Sequence, residues 1–328
     1  MNRLIYAHSL RILAEPVHGL GAVSQLAILR VLPSLEALAT ASDEELKGIP
    51  VARKDALVVA RARLQEHGVA LYIDRAAAAI DEHEQAEIRM AAIGDAEYPE
   101  LLARCGDAPT ILYWRGSVGA IEQSGAAVVG TREPTPVGAT IADRVATHLA
   151  ESGIAVISGL ALGIDTLAHR AALRVGGYTA AVLAQPLDRD SVAPASNRAL
   201  SEEILAADGA LISEHPLGAA TDRFEFARRD RIQSGLSRIV LPIQTGVTGG
   251  TQNTIRAARL QGRPLWVPRV NQEQGHEKWE GIAALLADGT ASGYTEAEYP
   301  ELVAAASLPI DPLPSPAPEP GPPQTLGL

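Results

Sequence analysis

Three arginines lie within four residues in the segment 226–237, namely Arg228, Arg229 and Arg231. An apolar segment, 239–243, follows them and has the composition of a buried strand. Guanidinium groups form paired hydrogen bonds with phosphates, so an arginine cluster beside glycine-containing turns indicates a phosphate-binding site. The same cluster is also typical of the solvated start of a helix. Only the surrounding sequence distinguishes these two interpretations.

Glycine-containing loops follow several short apolar segments that we predict to be strands. In an open parallel sheet the carboxyl ends of the strands form the ligand-binding edge, and helix N-termini there offer backbone N–H groups to anions. A single loop is weak support, because tight turns need glycine for geometry alone. Three such loops near an arginine cluster favour a ligand that carries phosphate. They are Gly130-Thr131-Arg132, Ser158-Gly159 with Gly163 and Asp165, and Gly249-Gly250-Thr251, with Glu214 at the same edge.

The fold class follows from the alternation of strand, loop and helix that begins near residue 125. Short, continuously apolar strands separated by helices predict an α/β fold, a doubly wound and mostly parallel sheet covered on both faces. The predicted strands of this series are 126–129, 155–157, 179–183, 210–213, 239–243 and 264–267, with a further short strand at 88–93.

Three regions divide the sequence. Residues 1–72 predict a small helical domain, and its turns at 19–21 and 48–50 resemble those of a helix-hairpin-helix module, although a plain helical accessory domain fits equally well. Residues 73–300 predict the α/β core. Residues 301–328 form a proline-rich tail that we expect to be disordered.

Charge is spread unevenly along the 328 residues. The net charge of −11 argues against a general nucleic-acid binder. Residues 120–269, however, carry 15 basic and 14 acidic side chains, whereas residues 270–328 carry 1 and 9. All 15 basic residues of the central segment are arginines, which suit bidentate phosphate contacts, although a GC-rich genome gives the same bias.

Other chemistries fit the sequence less well. The P-loop pattern is missing, no His/Cys/Glu spacing indicates a metal, and the single cysteine, Cys105, excludes an internal disulfide. Asp165 and His169 are spaced to share a helix face, but such a pair is more often structural than an acid–base couple. We therefore predict no catalytic residue, no cofactor and no metal. The lack of disulfides, of a signal-peptide pattern and of an 18-residue apolar run predicts a cytoplasmic protein without a membrane span.

The glycine-containing loops and the arginine cluster, together with segments around them, resemble the DNA processing protein A (DprA/Smf) family. The similar blocks run in family order over roughly residues 90–290. They are Tyr98-Pro99 to Arg115-Gly116, Val128–Arg132, Ser158–Asp165 with His169, Ile212–Glu214, Phe226 to Ser237, Gly250-Thr251 with Thr254, Gly262-Arg263 and Val267-Pro268.

The resemblance implies an extended Rossmann-like core, homodimerisation, single-stranded DNA binding and the loading of a RecA-type recombinase during natural transformation, all without known catalysis. By position it implies DNA-backbone contacts from Gly130, Thr131, Arg132, Ser158, Gly159, Arg229 and Arg231. The loop residues Gly163, Gly250 and Thr251, together with Asp230, complete the predicted phosphate-binding set.

Two departures from the family pattern keep a second hypothesis open. The family has Arg-Asn-Arg where this sequence has Arg229-Asp230-Arg231, and Gly249-Gly250-Thr251 replaces Ser-Gly-Ser. A carboxylate between two arginines neutralises them, or repels a phosphate, unless it orients the side chains. The alternative is a nucleotide sensor, or an enzyme similar to the phosphoribohydrolases of related Rossmann families, with a role in anti-phage defence.

Overall fold

The computed structural model describes residues 2–270 and 276–309. Its centre is a nine-stranded sheet with the order β1-β2-β6-β5-β4-β3-β7-β8-β9. Strands β3 to β9 pair in parallel with one another, whereas β2 is antiparallel to both β1 and β6. The predicted α/β fold with a mostly parallel sheet is confirmed. The strands are Arg89–Ala92 (β1), Ile111–Gly116 (β2), Gly125–Val129 (β3), Ala155–Ser158 (β4), Thr179–Val182 (β5), Ala210–Ser213 (β6), Ile239–Pro242 (β7), Leu265–Pro268 (β8) and Ala291–Tyr294 (β9).

The central strands are buried throughout, because helices cover both faces of the sheet. Small side chains on the strands and helices, such as Ala126 and Ala142, let the layers approach closely. The helices of this part are Glu100–Ala103 (α7), Gly119–Gln123 (α8), Pro136–Glu151 (α9), Ile164–Arg174 (α10), Arg198–Ala206 (α11), Glu225–Gly235 (α12), Thr251–Leu260 (α13), Glu280–Ala287 (α14) and Tyr299–Ala306 (α15), with 3₁₀ turns at Ala195–Asn197, Glu277–Trp279 and Glu296–Glu298.

Strand β9 was not predicted. Its sequence, Ala-Ser-Gly-Tyr, is short and only half apolar. It becomes a strand because it pairs in parallel with β8 at the edge of the sheet, from Leu265 opposite Ala291 to Pro268 opposite Tyr294. Tertiary pairing, rather than local propensity, decides this element.

Six helices precede the sheet and share its largest apolar core. Leu10 of the first helix and Leu57 of the fifth belong to the same buried cluster as Leu112 and Ile212 of the sheet. The predicted domain boundary at residue 72 falls inside the sixth helix and stays a prediction. These helices are Arg3–Ala14 (α1), Ala22–Val31 (α2), Leu35–Thr40 (α3), Asp43–Gly48 (α4), Lys54–His67 (α5) and Val69–Gln85 (α6).

The C-terminal part differs from the prediction at its start. Residues 301–306, which we expected in a disordered tail, belong to α15, because Leu302 and Ala306 are buried in the apolar cluster that α9 shares with the central strands. The proline-rich residues 310–328 lie outside the described residues. No helix of the described part is long and apolar enough to cross a membrane.

The strand order places a crevice at the end of β3. From β3 the chain proceeds through β4, β5 and β6 on one side, and it continues with β7, β8 and β9 on the other. In doubly wound sheets such a reversal leaves a crevice at the carboxyl ends of the strands, where ligands bind. The loops that leave β3 and β7 at residues 130 and 243 border this crevice.

Candidate phosphate-binding site

A cavity of about 500 Å³ lies in this crevice. Loops after β3 and β7, the N-terminal part of α12 and the start of α13 form its walls. Its size is typical of small-ligand sites in proteins. Seven of the eleven predicted phosphate-binding residues line it: Gly130, Thr131, Arg132, Arg229, Asp230, Gly250 and Thr251.

Arg132 is one of two accessible cations of this cavity, and Arg223 is the other. Arg132 is exposed, and its guanidinium carbon lies 5.8 Å from the centre of the Phe226 ring, a distance at which cation and ring attract each other. No carboxylate of the described residues lies within ion-pair distance of Arg132. The guanidinium therefore remains available for an anionic ligand.

Gln244 forms hydrogen bonds with the loop that carries Arg132. The backbone N–H of Thr131 donates to the Gln244 carbonyl (2.9 Å), and the side-chain amide of Gln244 donates to the Thr135 hydroxyl (3.0 Å). Gly130 is required here because a Cβ would lie 2.6 Å from Ile164 Cγ1. The positions of Arg132 and of the backbone around it are thus set by packing.

Arg229 does not present a free guanidinium to the cavity. It is only 4% exposed, and its Nη1 donates to the carbonyl of Gly159 (2.7 Å) and to that of Val182. Its Nε donates to Asp230 Oδ1 (3.2 Å). Arg229 therefore ties the ends of β4 and β5 to α12, and its charge is partly neutralised beneath the site.

Ser158 and Gly159 lie under Arg229 and do not line the cavity. The Ser158 hydroxyl is fully buried and donates to the Val128 carbonyl (2.7 Å). A Cβ at Gly159 would approach Arg229 Nη1 to 2.4 Å, so glycine is needed for the packing of Arg229. The structure gives both residues a role in supporting the cavity, and a direct phosphate contact from them stays a prediction.

Gly163 also supports the site from outside the cavity. Its φ is +77°, a value that favours glycine, and a Cβ there would meet the Thr131 carbonyl oxygen at 2.4 Å. The backbone N–H of Ile164 donates to this same carbonyl (3.2 Å). Gly163 thus lets the start of α10 pack directly against the Arg132 loop.

Arg231 lies on the opposite side of α12. Its guanidinium forms a bidentate pair with Glu214, at 2.7 and 2.8 Å, and its Nε donates to the Asp107 carbonyl (2.9 Å). The structure therefore does not bring Arg231 to the cavity. The three clustered arginines point in different directions because successive positions of a helix are about 100° apart.

Two buried carboxylates form the acidic part of the cavity. Asp230 is 8% exposed, and burial raises its pKa to about 6, an effect that Arg229 opposes and Asp165 strengthens. Burial also raises the pKa of Asp165, against the charge of Arg229. Close to neutral pH this region holds one inward guanidinium between two acidic groups, so the positive field at the mouth comes from Arg132 and Arg223.

Asp165 and His169 have separate partners. An oxygen of Asp165 accepts from the backbone N–H groups of Gly159 (3.1 Å) and Ala161 (3.3 Å). Nδ1 of His169 lies 2.7 Å from the Thr179 hydroxyl, and burial lowers its pKa to about 3. The structural interpretation of these residues fits this geometry, since each holds a buried loop or strand.

The start of α13 leaves backbone open to a ligand. Gly249 and Gly250 are exposed, and a Cβ at either position would have no neighbour within 4 Å. The positive end of the helix dipole points from here towards the cavity. The side-chain amide of Gln252 donates to the Gly246 carbonyl (2.8 Å) and thereby holds the preceding loop.

Several lining residues were not predicted as part of the site. Arg223, Thr248 and Gln233 line the cavity. With its amide oxygen facing Arg229, Gln233 accepts from the guanidinium at 3.1 and 3.2 Å. The spacing of four residues from Arg229 to Gln233 could have predicted this contact, because such residues share a helix face. Arg223 carried no such signal, because it precedes α12 in a loop.

One group of side chains has the spacing of a metal site. Ligand atoms of Glu214, His215 and Glu225 lie within 4.8 Å of one another in the part of the chain that is described. Arginines already pair with both carboxylates, Glu214 with Arg231 and Glu225 with Arg228. These cations would repel a metal ion, so the group is better explained as an ion-pair network.

Comparisons with known proteins agree with this architecture. The family model for DNA recombination-mediator protein A matches residues 89–302. Protein Smf of Synechocystis sp. is 38% identical over 191 residues, 57% of this chain and 47% of that protein. DNA processing protein DprA of Streptococcus pneumoniae is 35% identical over 169 residues, 52% of this chain and 58% of that protein. The chain thus spans about half the length of the curated relatives it matches.

Solved structures give the same result. DNA processing protein A of Streptococcus pneumoniae superimposes with a TM-score of 0.68 at 25% identity, covering 90% of this chain and 97% of that one. The Helicobacter pylori protein superimposes with a TM-score of 0.59 at 26% identity, covering 67% of this chain and 97% of that one. Since the family model covers more than half of the chain, the protein belongs to the DNA recombination-mediator protein A family.

Proposed function

We propose that the protein binds single-stranded DNA through its phosphate backbone, with Arg132 and the open backbone at Gly250-Thr251 as the main contacts. The observation that carries this proposal is the exposed Arg132, which has no carboxylate partner in the described residues and lies across the cavity from the start of α13. The structure of the Helicobacter pylori relative concerns its single-stranded DNA binding mode, which supports the same ligand class here. Contacts of this kind read little sequence.

Roles within the site follow from burial. Arg132, Gly130 and Thr131 supply one wall, and Gly250 and Thr251 supply the other. Arg229 and Asp230 would act beneath the ligand as positioning residues, because they are buried and bonded to each other. No residue is assigned to catalysis in this proposal. Binding of a strand and its release to another protein need no bond to be broken.

The cellular role rests on the family alone. A recombination mediator would pass its single strand to a RecA-type recombinase, and we include this partner, a homodimeric state, action in natural transformation and a cytoplasmic location in the proposal. Acceleration by the protein of recombinase filament formation on coated single strands would support the partner. Sedimentation of the protein as a monomer at micromolar concentration would contradict the dimer.

The central experiment measures binding of a fluorescent oligothymidylate over a series of salt concentrations. We expect the affinity of the wild-type protein to fall steeply as salt rises, since each neutralised phosphate contributes a slope of about −0.7. Arg132→Ala should weaken binding at least about tenfold, or about 1.4 kcal/mol. Arg144→Ala is the matched control, because Arg144 is exposed on α9 and pairs with Glu296 outside the cavity.

A mononucleotide competitor separates this proposal from nucleotide sensing. If the cavity binds a strand, thymidine monophosphate should compete far less well than an oligonucleotide at equal phosphate concentration. Equal competition by the mononucleotide would contradict the proposal. So would a wild-type protein that fails to bind the oligonucleotide at low salt.

A further inference from the structure

A second cavity, of about 620 Å³, lies beside the first one and is rich in arginine. Helices α12 and α13 and the residues after α7 form its walls. Its charged lining residues are Arg104, Asp107, Arg228, Arg231, Arg256 and Arg263. Five cations and one carboxylate in one cavity contrast with the net charge of −11 for the whole chain.

Ion pairs neutralise part of this charge but not all of it. Arg104 pairs with Glu100 (2.5 Å), and Arg228 pairs with Glu225. Arg231 pairs with Glu214, as described above.

Two cations keep a surplus charge. Arg263 Nη2 donates to the carbonyls of Leu101 (2.9 Å) and Gly235 (3.3 Å), which bind it without neutralising its charge. Arg256 is exposed, and none of the described carboxylates lies within ion-pair distance of its guanidinium. The second cavity therefore has unneutralised positive charge, which attracts an anion.

The two cavities are neighbours, and the boundary between them is here called the ridge. Ala227 and Asn253 line both of them, so these two residues form the boundary. A methyl group and an amide leave space for a nucleic-acid backbone, and the Asn253 amide offers it a hydrogen-bond donor. A strand that leaves the first cavity over this ridge enters the second one.

Helix α13 gives the direction and the distance from the first cavity to Arg256. It begins at Thr251 in the wall of the first cavity, and Arg256 lies five residues later in the wall of the second. Five residues correspond to about 7.5 Å along a helix axis. Phosphates of one DNA strand are about 3.4 Å apart along a duplex axis and further apart in an extended strand. Arg256 is therefore one or two nucleotides away from the first cavity.

We propose that the second cavity binds the phosphates of the nucleotides next to those in the first cavity, with Arg256 as its principal contact. This inference rests on the proposed function and deepens it, because it gives the strand a path across α12 and α13. It implies that affinity depends on strand length. A strand of about two nucleotides fills the first cavity alone, whereas one of about twelve crosses the ridge and reaches Arg256.

The test compares two variants of α13 with two strand lengths. Arg256→Ala removes the proposed contact. Arg259→Ala is the matched control, because Arg259 is an exposed arginine of the same helix that pairs with Asp288 and lines neither cavity. Binding of a fluorescent oligothymidylate of about twelve nucleotides is measured directly. Binding of a strand of about two nucleotides is measured by competition, and both are repeated over a salt series.

We expect Arg256→Ala to lower the affinity for the longer strand by roughly three- to tenfold and to reduce the salt slope by about 0.7, the share of one phosphate contact. The affinity for the short strand should change by less than about twofold, and Arg259→Ala should resemble the wild type at both lengths. Arg256→Glu should extend the loss for the longer strand, since it replaces attraction by repulsion.

The experiment distinguishes a failure of the proposed path over α13 from a failure of the proposed single-stranded DNA binding. If the wild type binds the longer strand and Arg132→Ala abolishes this binding, but Arg256→Ala and Arg256→Glu bind like the wild type, the path over α13 is wrong and the proposed function stands. An equal loss at both strand lengths would also overturn the path, because Arg256 would then act on the first cavity. If the wild type binds neither strand, both proposals fail.

Discussion

Two regions of the molecule carry the same local pattern, a glycine-containing turn that leads into a helix with basic residues nearby. In the helical N-terminal region this is the turn at 48–50 before α5. There the cations are already engaged. The ammonium of Lys54 donates to the carbonyls of Lys47 (2.8 Å) and Ile49, and Arg53 pairs with Asp55 (2.5 Å).

At the carboxyl edge of the sheet the pattern has a different outcome. The turn at 249–250 precedes α13, and the exposed cations near it, Arg132 and Arg223, lie against the rings of Phe226 and Phe224. The ring contacts orient these guanidinium groups without neutralising their charge. A glycine turn with basic residues becomes a candidate anion site only where the cations keep both their charge and their hydrogen-bond donors available.

The largest expected effect is the loss of stability when Arg229, the buried cation at the sheet edge, is removed. Arg61 of the N-terminal region serves as the comparison. Arg229→Ala should lower the free energy of unfolding by about 3–5 kcal/mol, because it leaves Asp230 buried beside Asp165 without its cation. Arg61→Ala should cost about 1 kcal/mol, since Arg61 bonds the Ala41 carbonyl and an exposed Asp43. Urea denaturation measures both. A similar loss of unfolding free energy in the two variants would show that the burial of Arg229 does not increase its contribution to stability.

The second prediction compares two glycines with nearly the same φ. Gly163 (+77°) lies against the Thr131 carbonyl, whereas Gly68 (+79°) has nothing within 4 Å of an added Cβ. Gly163→Ala should therefore destabilise by about 3 kcal/mol, from strain and collision together, and Gly68→Ala by about 1 kcal/mol, from strain alone. Thermal unfolding of both variants checks this. A smaller loss for Gly163→Ala than for Gly68→Ala would contradict the packing described here.

The third prediction concerns pH and Asp230. Its pKa of about 6 in the folded protein exceeds the value of about 3.9 in an unfolded chain, so the folded state holds the proton more tightly. The contribution of this group to stability is therefore greatest below about pH 4 and falls as pH rises through 6. Asp230→Asn should remove this loss and raise stability at pH 7 by about 3 kcal/mol.

Denaturation at several pH values between 4 and 8 measures the effect of Asp230→Asn. The difference between variant and wild type should grow across this range and level off above pH 7. Asp190→Asn serves as the control, because the Asp190 side chain is 98% exposed, and it should change stability by less than about 0.5 kcal/mol. A pH-independent difference would contradict the assignment to Asp230.

The smallest expected effect returns to the N-terminal region. Arg53→Ala should change the affinity for the oligothymidylate by less than about twofold, because Arg53 already pairs with Asp55. The binding assay of the Arg132 experiment measures it. A loss as large as that of Arg132→Ala would erase the contrast between the two regions and make the N-terminal turns part of the DNA site.

Much of the fold was readable from local pattern. Apolar runs such as 155–157 and 239–243 predicted buried parallel strands, and both segments pair in parallel within the sheet. The edge strand β9 was not readable, because its four residues carry a weak signal and pairing with β8 determines it. The prediction for residues 301–306 was wrong because burial of Leu302 in the apolar cluster beside α9, rather than the proline-rich sequence that follows, makes them helical.

The sequence by itself determined which residue types meet at the carboxyl edge of the sheet. The order of strands and loops brought Gly130, Arg132 and Gly250 to one cavity, as expected from a parallel sheet. It also determined that Asp230 follows Arg229. Only the tertiary structure decided which arginines remain available. Arg229 is buried on Gly159, Arg231 is paired with Glu214 across α12, and Arg132 remains exposed. Hydrogen-bond and ion-pair partners from distant parts of the chain determine which arginines are available, and these partners cannot be identified from the local sequence.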